Sequence, residues 1–217
     1  MVTVQIVLAA GRSERMGSPK PLLRFGGRTA LALVLDAAAG AGVERSVVVV
    51  GEAGAEVIAA HGPDRLPLPV SWVWNREPGA EQLRSLQLAL ESILRDPGSA
   101  LSAFFVHPAD HPLATVGDYE ILLRALEGDG DAHDVFIPSH GGRRGHPILC
   151  RARLAASFLA LRPDGTARDV IERARIAYAL TPNAGVRDDM DTPEDYERLR
   201  SAYEGLRNPG TMSRYTS

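Results

Sequence analysis

Lys20 is the chain's only lysine; the other 23 basic side chains are arginine. It lies in Ala9-Ala10-Gly11-Arg12-Ser13-Glu14-Arg15-Met16-Gly17-Ser18-Pro19-Lys20-Pro21-Leu22-Leu23, directly after a β-branched apolar run. Arg12, Arg15 and Lys20 place three cations within nine residues, and subtracting Glu14 leaves +2 over residues 9–23. Small residues let a backbone approach a ligand closely, and successive N–H groups in a turn form an anion-binding concavity. The chemistry on offer is a phosphate cradle; an ordinary strand-to-loop connection with solvated arginines is the alternative. A lysine supplies a compact point charge where an arginine supplies a planar fork. Pro19 and Pro21 bracket it, and a residue before proline avoids the helical region, which predicts an extended backbone at Lys20. The stretch is neither G-x-x-x-x-G-K-[ST] nor the dinucleotide G-x-G-x-x-G.

Two acidic stretches could add a metal. His107-Pro108-Ala109-Asp110-His111-Pro112-Leu113 follows a second apolar run. Asp110 there suits Mg²⁺, which takes one or two carboxylates together with phosphate oxygens and waters; a turn or helix cap is the ordinary alternative. Asp188-Asp189-Met190-Asp191-Thr192-Pro193-Glu194-Asp195 is the other. Its last part reads as a helix start, with Thr192 or Asp191 as cap, Pro193 at the first position, and Glu194 and Asp195 against the dipole. That leaves aspartates upstream that repel one another without a cation. His107, His111 and His146 raise the question of zinc, but the HxxxH pair spans a proline-flanked loop, not a helix. Cys150 is the one cysteine, which excludes an internal disulfide and a cysteine-based zinc site.

These loops need a scaffold, and the apolar pattern predicts one. Strands are expected over 2–8, 46–50, 70–74, 103–106, 134–137, 147–150 and 177–180. Helices are expected over 31–39, 53–60, 81–94, 119–126, 154–161, 168–175 and 192–203. Strands apolar on both sides and alternating with helices imply an α/β fold: a three-layer α/β/α sandwich around a mostly parallel, mixed sheet. Ligands of such sheets bind beyond the carboxyl ends of the strands, where the cradle and Asp110 fall. Residues 1–207 read as one domain and 208–217 as a disordered polar tail.

Composition narrows the function classes. Hydrophobic content of 45% and a charged fraction of 24% are those of a globular chain. A net charge of −3 and a pI near 6.1 advertise no nucleic-acid face. No run reaches the ~18 apolar residues of a membrane span, and the start MVTVQIVLAAG lacks the charged region of a signal peptide. The expected compartment is the cytoplasm.

The stretch LAAGRSERMGSPKPLL resembles L-A-A-G-x-S-x-R-M-G-x-x-K, the signature of the nucleotidyltransferases of molybdenum cofactor synthesis, whose fold is nucleotide-diphospho-sugar transferase-like. The resemblance extends from residue 3 to about 200. It implies that Leu8, Ala9, Ala10, Gly11 and Ser13 line the nucleotide and that Arg15 and Lys20 hold its triphosphate. It implies that Asp110 and Asp191 bind Mg²⁺, with Asp189 competing for the second place. Arg143-Arg144-Gly145-His146-Pro147 is similar to G-x-x-G-H-P, and Gly165-Thr166-Ala167-Arg168 to a later G-A-R element; both imply contact with the acceptor, through Gly145, His146 and Pro147 in the first. Asn75 and Ser85 fall where the family has nucleotide-binding residues, although Glu81-Gln82-Leu83-Arg84 departs from the usual glycine and paired serines.

The implied reaction moves a nucleoside monophosphate from an NTP to a phosphorylated acceptor such as molybdopterin, releasing pyrophosphate, with Lys20, Arg15 and Asp110 as catalytic groups. Leu8-Ala9-Ala10-Gly11 matches the cytidylyl type, where guanylyl members have L-A-G-G. The implied partners are the NTP, the acceptor, and a molybdoenzyme or its chaperone. A guanylyltransferase, a sugar-phosphate or terpenoid nucleotidyltransferase and an accessory module without turnover are the alternatives. A glycosyltransferase of similar fold would show Asp-x-Asp where Asp110-His111-Pro112 stands.

Overall fold

The computed structural model describes residues 2–13, 15–77, 82–96 and 100–207. The expected tail, 208–217, lies outside them, as does the start expected for the helix at Glu81.

The first half is built from β1 (Val2–Ala9), a hairpin of β2 (Arg24–Phe25) and β3 (Arg28–Thr29), α1 (Ala30–Gly40), β4 (Arg45–Val50), α2 (Gly54–Ala60), β5 (Val70–Trp74) and α3 (Gln82–Leu94). There follow β6 (Leu101–Pro108), α4 (Val116–Gly128), β7 (Val135–His140), β8 (Arg143–Arg144) and β9 (Ile148–Arg151), then α5 (Ala155–Leu159), α6 (Ala167–Arg173), β10 (Ile176–Leu180) and α7 (Pro193–Arg207). The main sheet runs β10-β7-β9-β6-β1-β4-β5, with β8 attached to β7. Pairing is parallel except around β9, which is antiparallel to both β6 and β7, and between β7 and β8.

The run of valines in β4 shows why a helix layer lies on each face. Side chains alternate along a strand, so Val48 and Val50 join one core with Leu31, Leu35, Val57, Tyr119 and Leu122. Val47 and Val49 join the other, with Leu86, Leu90, Ile93 and Phe158. The sandwich is therefore α/β/α, and the antiparallel β9 makes its sheet mixed. The β2–β3 hairpin was not expected from sequence, because two-residue strands carry no periodic signal. It belongs to a third apolar cluster in which Phe25, Leu113, Met190 and Leu199 pack together. Phe25 meets the rings of Tyr196 and Tyr203 edge-on, at 5.5 and 5.8 Å.

β1 pairs with β4 on one side and with β6 on the other. The chain thus winds outward in opposite directions from β1, and a crevice opens where such connections diverge. Leu8 lies beside Pro108 in the β1–β6 register, so the cradle loop and the Asp110 loop leave the sheet side by side.

Candidate active site

The cradle loop is shaped by its small residues. Ser13 adopts a positive φ of 53° and Gly17 one of 65°. A Cβ on Gly51 would lie 2.6 Å from the Ala10 carbonyl oxygen, so the loop after β4 presses directly on the cradle. Ser13 Oγ accepts from the Lys20 N–H at 3.0 Å. Lys20 begins a 3-10 turn, Lys20–Leu22, with Pro21 in its first positions. The extended backbone expected there is therefore corrected: proline is compatible with the first turn of a helix, where no amide hydrogen is needed, and the Ser13 hydroxyl takes the free Lys20 amide.

That turn aims Lys20 at both acidic loops. Its Nζ lies 2.8 Å from Asp191 Oδ1 and 3.3 Å from Asp110 Oδ2. Arg15 reaches Asp191 Oδ2 at 3.2 Å. Burial works to lower the Lys20 pKa, but the hydrogen bond to Asp191 and the charges of both aspartates outweigh it, and the net direction is up. The same bond, reinforced by Arg15 and opposed by partial burial, holds the Asp191 carboxyl below its ordinary value. Asp110 Oδ1 is buried and, among the described residues, without a hydrogen-bond partner. A buried carboxylate oxygen left unpaired is costly, and a divalent cation shared with phosphate oxygens would satisfy it. Among the described residues no group of three or more His, Cys, Asp or Glu could hold a metal, so a cation here needs oxygens from its ligand.

The acidic loops are tied together. The Met190 N–H donates to the Asp110 carbonyl at 3.0 Å, and Met190 is fully buried in the third cluster. Thr192 caps α7: its N–H and Oγ both bond Asp195 Oδ2, while its Oγ accepts from the Asp195 N–H. Asp188 pairs with Arg198 at 3.1 Å. The upstream aspartates expected to need a cation thus find protein cations at Asp188 and Asp191. Asp189 is exposed.

Two cavities meet at this crevice. The first, about 480 Å³, is lined by Leu8, Ala9, Ala10, Gly11, Arg12 and Ser13 from the cradle, with Arg15, Lys20, Ser85, Asp110 and Asp191 across from them. The second, about 330 Å³, shares Leu8, Gln82 and Pro108 with the first. Its floor is apolar, with Leu86, Ile137, Ile148 and Phe158, and its polar wall carries Arg144, His146, Arg168 and Arg187.

Residues 5–178 match the family described as the MobA-like NTP transferase domain. The chain belongs to that family. The matched domain is of the NTP transferase type. The bifunctional protein GlmU of Thermus thermophilus is 38% identical over 131 residues, which are 58% of this chain and 27% of that protein. CMP-5'-(3-aminopropyl)phosphonate synthase of Streptomyces rubellomurinus is 37% identical over 97 residues, 42% of this chain and 15% of that one. The chain therefore spans a minor part of the length of both relatives. Among solved structures, the homologue of Mycobacterium tuberculosis Rv0371c from Mycobacterium sp. strain JC1 superposes with a TM-score of 0.76 at 27% identity, covering 94% of this chain and 98% of that one. Rv0371c of M. tuberculosis H37Rv, solved in complex with manganese, gives 0.73 at 24% identity over 93% and 100%.

The structure gathers most of the expected residues, but not all. Asn75 is buried and lines neither cavity; its Nδ2 donates to Ser85 Oγ at 3.0 Å and its Oδ1 accepts from the Glu77 N–H. Ser85, its partner, lines the first cavity. Gly145 and His146 line the second cavity and Pro147 does not. A Cβ on Gly145 would lie 2.3 Å from the Val186 carbonyl oxygen, which brings the turn carrying Arg187 against this wall. Sequence reasoning missed Arg187 and Gln82. Arg187 had a signal in Gly185, whose close fit against Leu113 (2.7 Å for an added Cβ) demands the smallest residue; Gln82 had none. No helix among the described residues is long and apolar enough to cross a membrane.

Proposed function

We propose that this nucleotidyltransferase moves CMP, in preference to GMP, from a metal-bound NTP to the phosphate of a molybdopterin-like acceptor and releases pyrophosphate. The observation that carries the reading is the Lys20 ammonium set between Asp110 and Asp191 in the lining of the first cavity, which shares Leu8, Gln82 and Pro108 with the arginine-walled second one. The NTP occupies the first and the acceptor the second, where Arg144, Arg168 and Arg187 suit an anion and the apolar floor suits a flat body.

An acceptor phosphate oxygen forms the new bond to the α-phosphorus as the bond to the β-phosphate bridge breaks, and the electron pair leaves on pyrophosphate. The attacking oxygen is already anionic, so no protein nucleophile is required. Cys150 fits that view: burial pushes its thiol up to about 12, which keeps it protonated. Arg15 and Lys20 hold the β- and γ-phosphates and follow the charge onto the leaving group. Asp110 and Asp191 fit a divalent ion, Mg²⁺ in this reading, and the manganese in the Rv0371c complex supports that class of metal. When bound, the ion neutralises charge developing on the phosphates.

The cytidylyl preference rests on Ala10, which narrows the cradle relative to glycine, and on the similarity to a CMP-phosphonate synthase. Pyrophosphate release scanned over CTP, GTP, UTP and ATP, with and without molybdopterin, tests the proposal. The expected result is release with CTP that depends on the acceptor; release with GTP alone reverses the base assignment. A sugar-phosphate acceptor is the second reading, and a sugar 1-phosphate in the same assay decides between them.

A further inference from the structure

Beneath the Asp110 loop runs a chain of buried polar side chains that the proposed reaction does not use. Gln5, Ser46, His107 and Tyr119 are all fully buried. Ser46 Oγ donates to Gln5 Oε1, and Gln5 Nε2 donates to the Val34 carbonyl and to Tyr119 Oη. Tyr119 Oη lies 2.6 Å from His107 Nδ1, and His107 Nε2 lies 2.9 Å from the His111 carbonyl oxygen. The geometry settles where the protons are. A carbonyl only accepts, so Nε2 carries the hydrogen. Burial drives the His107 pKa down to about 3, so the ring is neutral and Nδ1 is bare. The Tyr119 hydroxyl therefore donates to Nδ1 while accepting from Gln5.

Burying four polar side chains is expensive unless each is paired. An apolar side chain would fill the His107 position without that demand. What the histidine adds is a hydrogen bond into the turn that follows β6. That turn is held by the Ala109 N–H on the Leu8 carbonyl, by the Met190 N–H on the Asp110 carbonyl, and by His107 on the His111 carbonyl. The first two reach it from the cradle strand and from the Asp191 loop. His107 differs from them in spanning Asp110: its ring is held in the interior before that residue and its bond reaches the His111 carbonyl after it.

We propose that His107 is a positioning residue whose Nε2–H bond to the His111 carbonyl, with its tautomer set by Tyr119, holds Asp110 in place for the metal–nucleotide complex. The inference rests on Asp110 as a metal carboxylate, as in the proposed function. Groups standing behind a metal ligand typically change affinity or activity by 10–100-fold when lost.

The test measures binding rather than turnover. Mn²⁺ is titrated into the protein with a fixed, saturating amount of a non-hydrolysable CTP analogue, and free Mn²⁺ is read by electron paramagnetic resonance. His107→Asn, too short to reach the His111 carbonyl, is expected to raise the half-saturating Mn²⁺ by about 10-fold or more. His107→Gln, long enough to donate to that carbonyl, is expected to stay within about threefold of the parent on the same scale. Parent-like Mn²⁺ binding by His107→Asn, or equal losses in both variants, would overturn the proposal, since a packing role does not distinguish a donor of the right reach. Should His107→Asn fail to fold, Tyr119→Phe frees the tautomer with little change of volume; it is expected to weaken Mn²⁺ binding several-fold, and unchanged binding would overturn the proposal. Asp110→Asn separates the two claims. If it leaves Mn²⁺ binding intact, the metal assignment falls and this inference with it. If it abolishes binding while His107→Asn does not, only the positioning role falls.

Discussion

The Lys20 ammonium lies 2.8 Å from Asp191 Oδ1, across 171 residues of chain. In the proposed reaction the cation that holds phosphate is thus paired with a carboxylate that holds the metal. The pair is partly buried, with 17% and 44% of the two side chains exposed, so the attraction is less screened than at an open surface. On that proposal, metal and triphosphate arriving together would exchange these partners without leaving either charge alone. Metal arriving by itself meets an ammonium, and a bare triphosphate meets two aspartates.

Lys20→Ala and Asp110→Ala are each expected to lower pyrophosphate release by about 10²-fold or more, the scale of removing one preorganised electrostatic contact. Near-normal release by both variants would remove the mechanism.

The two candidate aspartates separate cleanly by substitution. Asp191→Asn is expected to slow release by about 10²-fold, because it disturbs the partner of both Lys20 and Arg15. Asp189→Asn, at an exposed position outside both cavities, is expected to stay within about threefold, the mild range of surface substitutions. A larger loss from Asp189→Asn than from Asp191→Asn would transfer the metal role to Asp189.

Ala10→Gly should widen the cradle toward a purine. The expected outcome is a smaller melting-temperature rise with CTP and a larger one with GTP, read in the presence of Mg²⁺. An unchanged order of the two nucleotides would show that the base is chosen elsewhere.

Acid stability follows from His107. Its pKa is about 3 when folded and 6.5 in the reference state, with burial as the leading cause. The unfolded chain therefore binds a proton first as pH falls, so this contribution is full above pH 6.5 and is lost progressively toward pH 3. The loss runs at up to about 1.4 kcal/mol per pH unit for one such histidine. His61 and His146 are shifted the same way, chiefly by burial. Melting temperature is expected to fall as pH drops below 6.5, and less steeply in His107→Gln. Equal slopes in the two proteins would place the acid sensitivity in other groups.

Gly145→Ala tests the wall of the second cavity. The added methyl meets the Val186 carbonyl oxygen at 2.3 Å and its Cγ2 at 2.8 Å, and a backbone atom there cannot turn aside. Overpacking of this kind costs about 1–3 kcal/mol. The expected outcome is a lower melting temperature, with acceptor affinity reduced more than NTP affinity; equal losses of both would mean that the second cavity does not house the acceptor.

How much of this was legible beforehand follows from what is local. The β-branched runs, the helix stops and the cradle's small residues are recorded in neighbouring side chains, so the order of elements and the loops at the strand ends could be read directly. LAAGRSERMGSPKPLL pointed to phosphate, and the lone lysine among 23 arginines pointed to a special site. The arginines themselves are spread over forked pairings such as Arg153 and Arg175 on Asp134, the geometry a guanidinium suits. What the sequence by itself determined was the scaffold and the types of group at its open end. Only the tertiary structure set Asp191, and not Asp189, beside Lys20 and Arg15, with Met190 between them buried against Phe25 and Leu199 and its backbone bonded to Asp110. It alone turned β9 antiparallel, brought Arg187 and Gln82 to the cavities, and set Lys20 on a 3-10 turn. Those outcomes depend on which distant surfaces fit together, and residues separated by as many as 171 positions leave no periodic trace of their meeting.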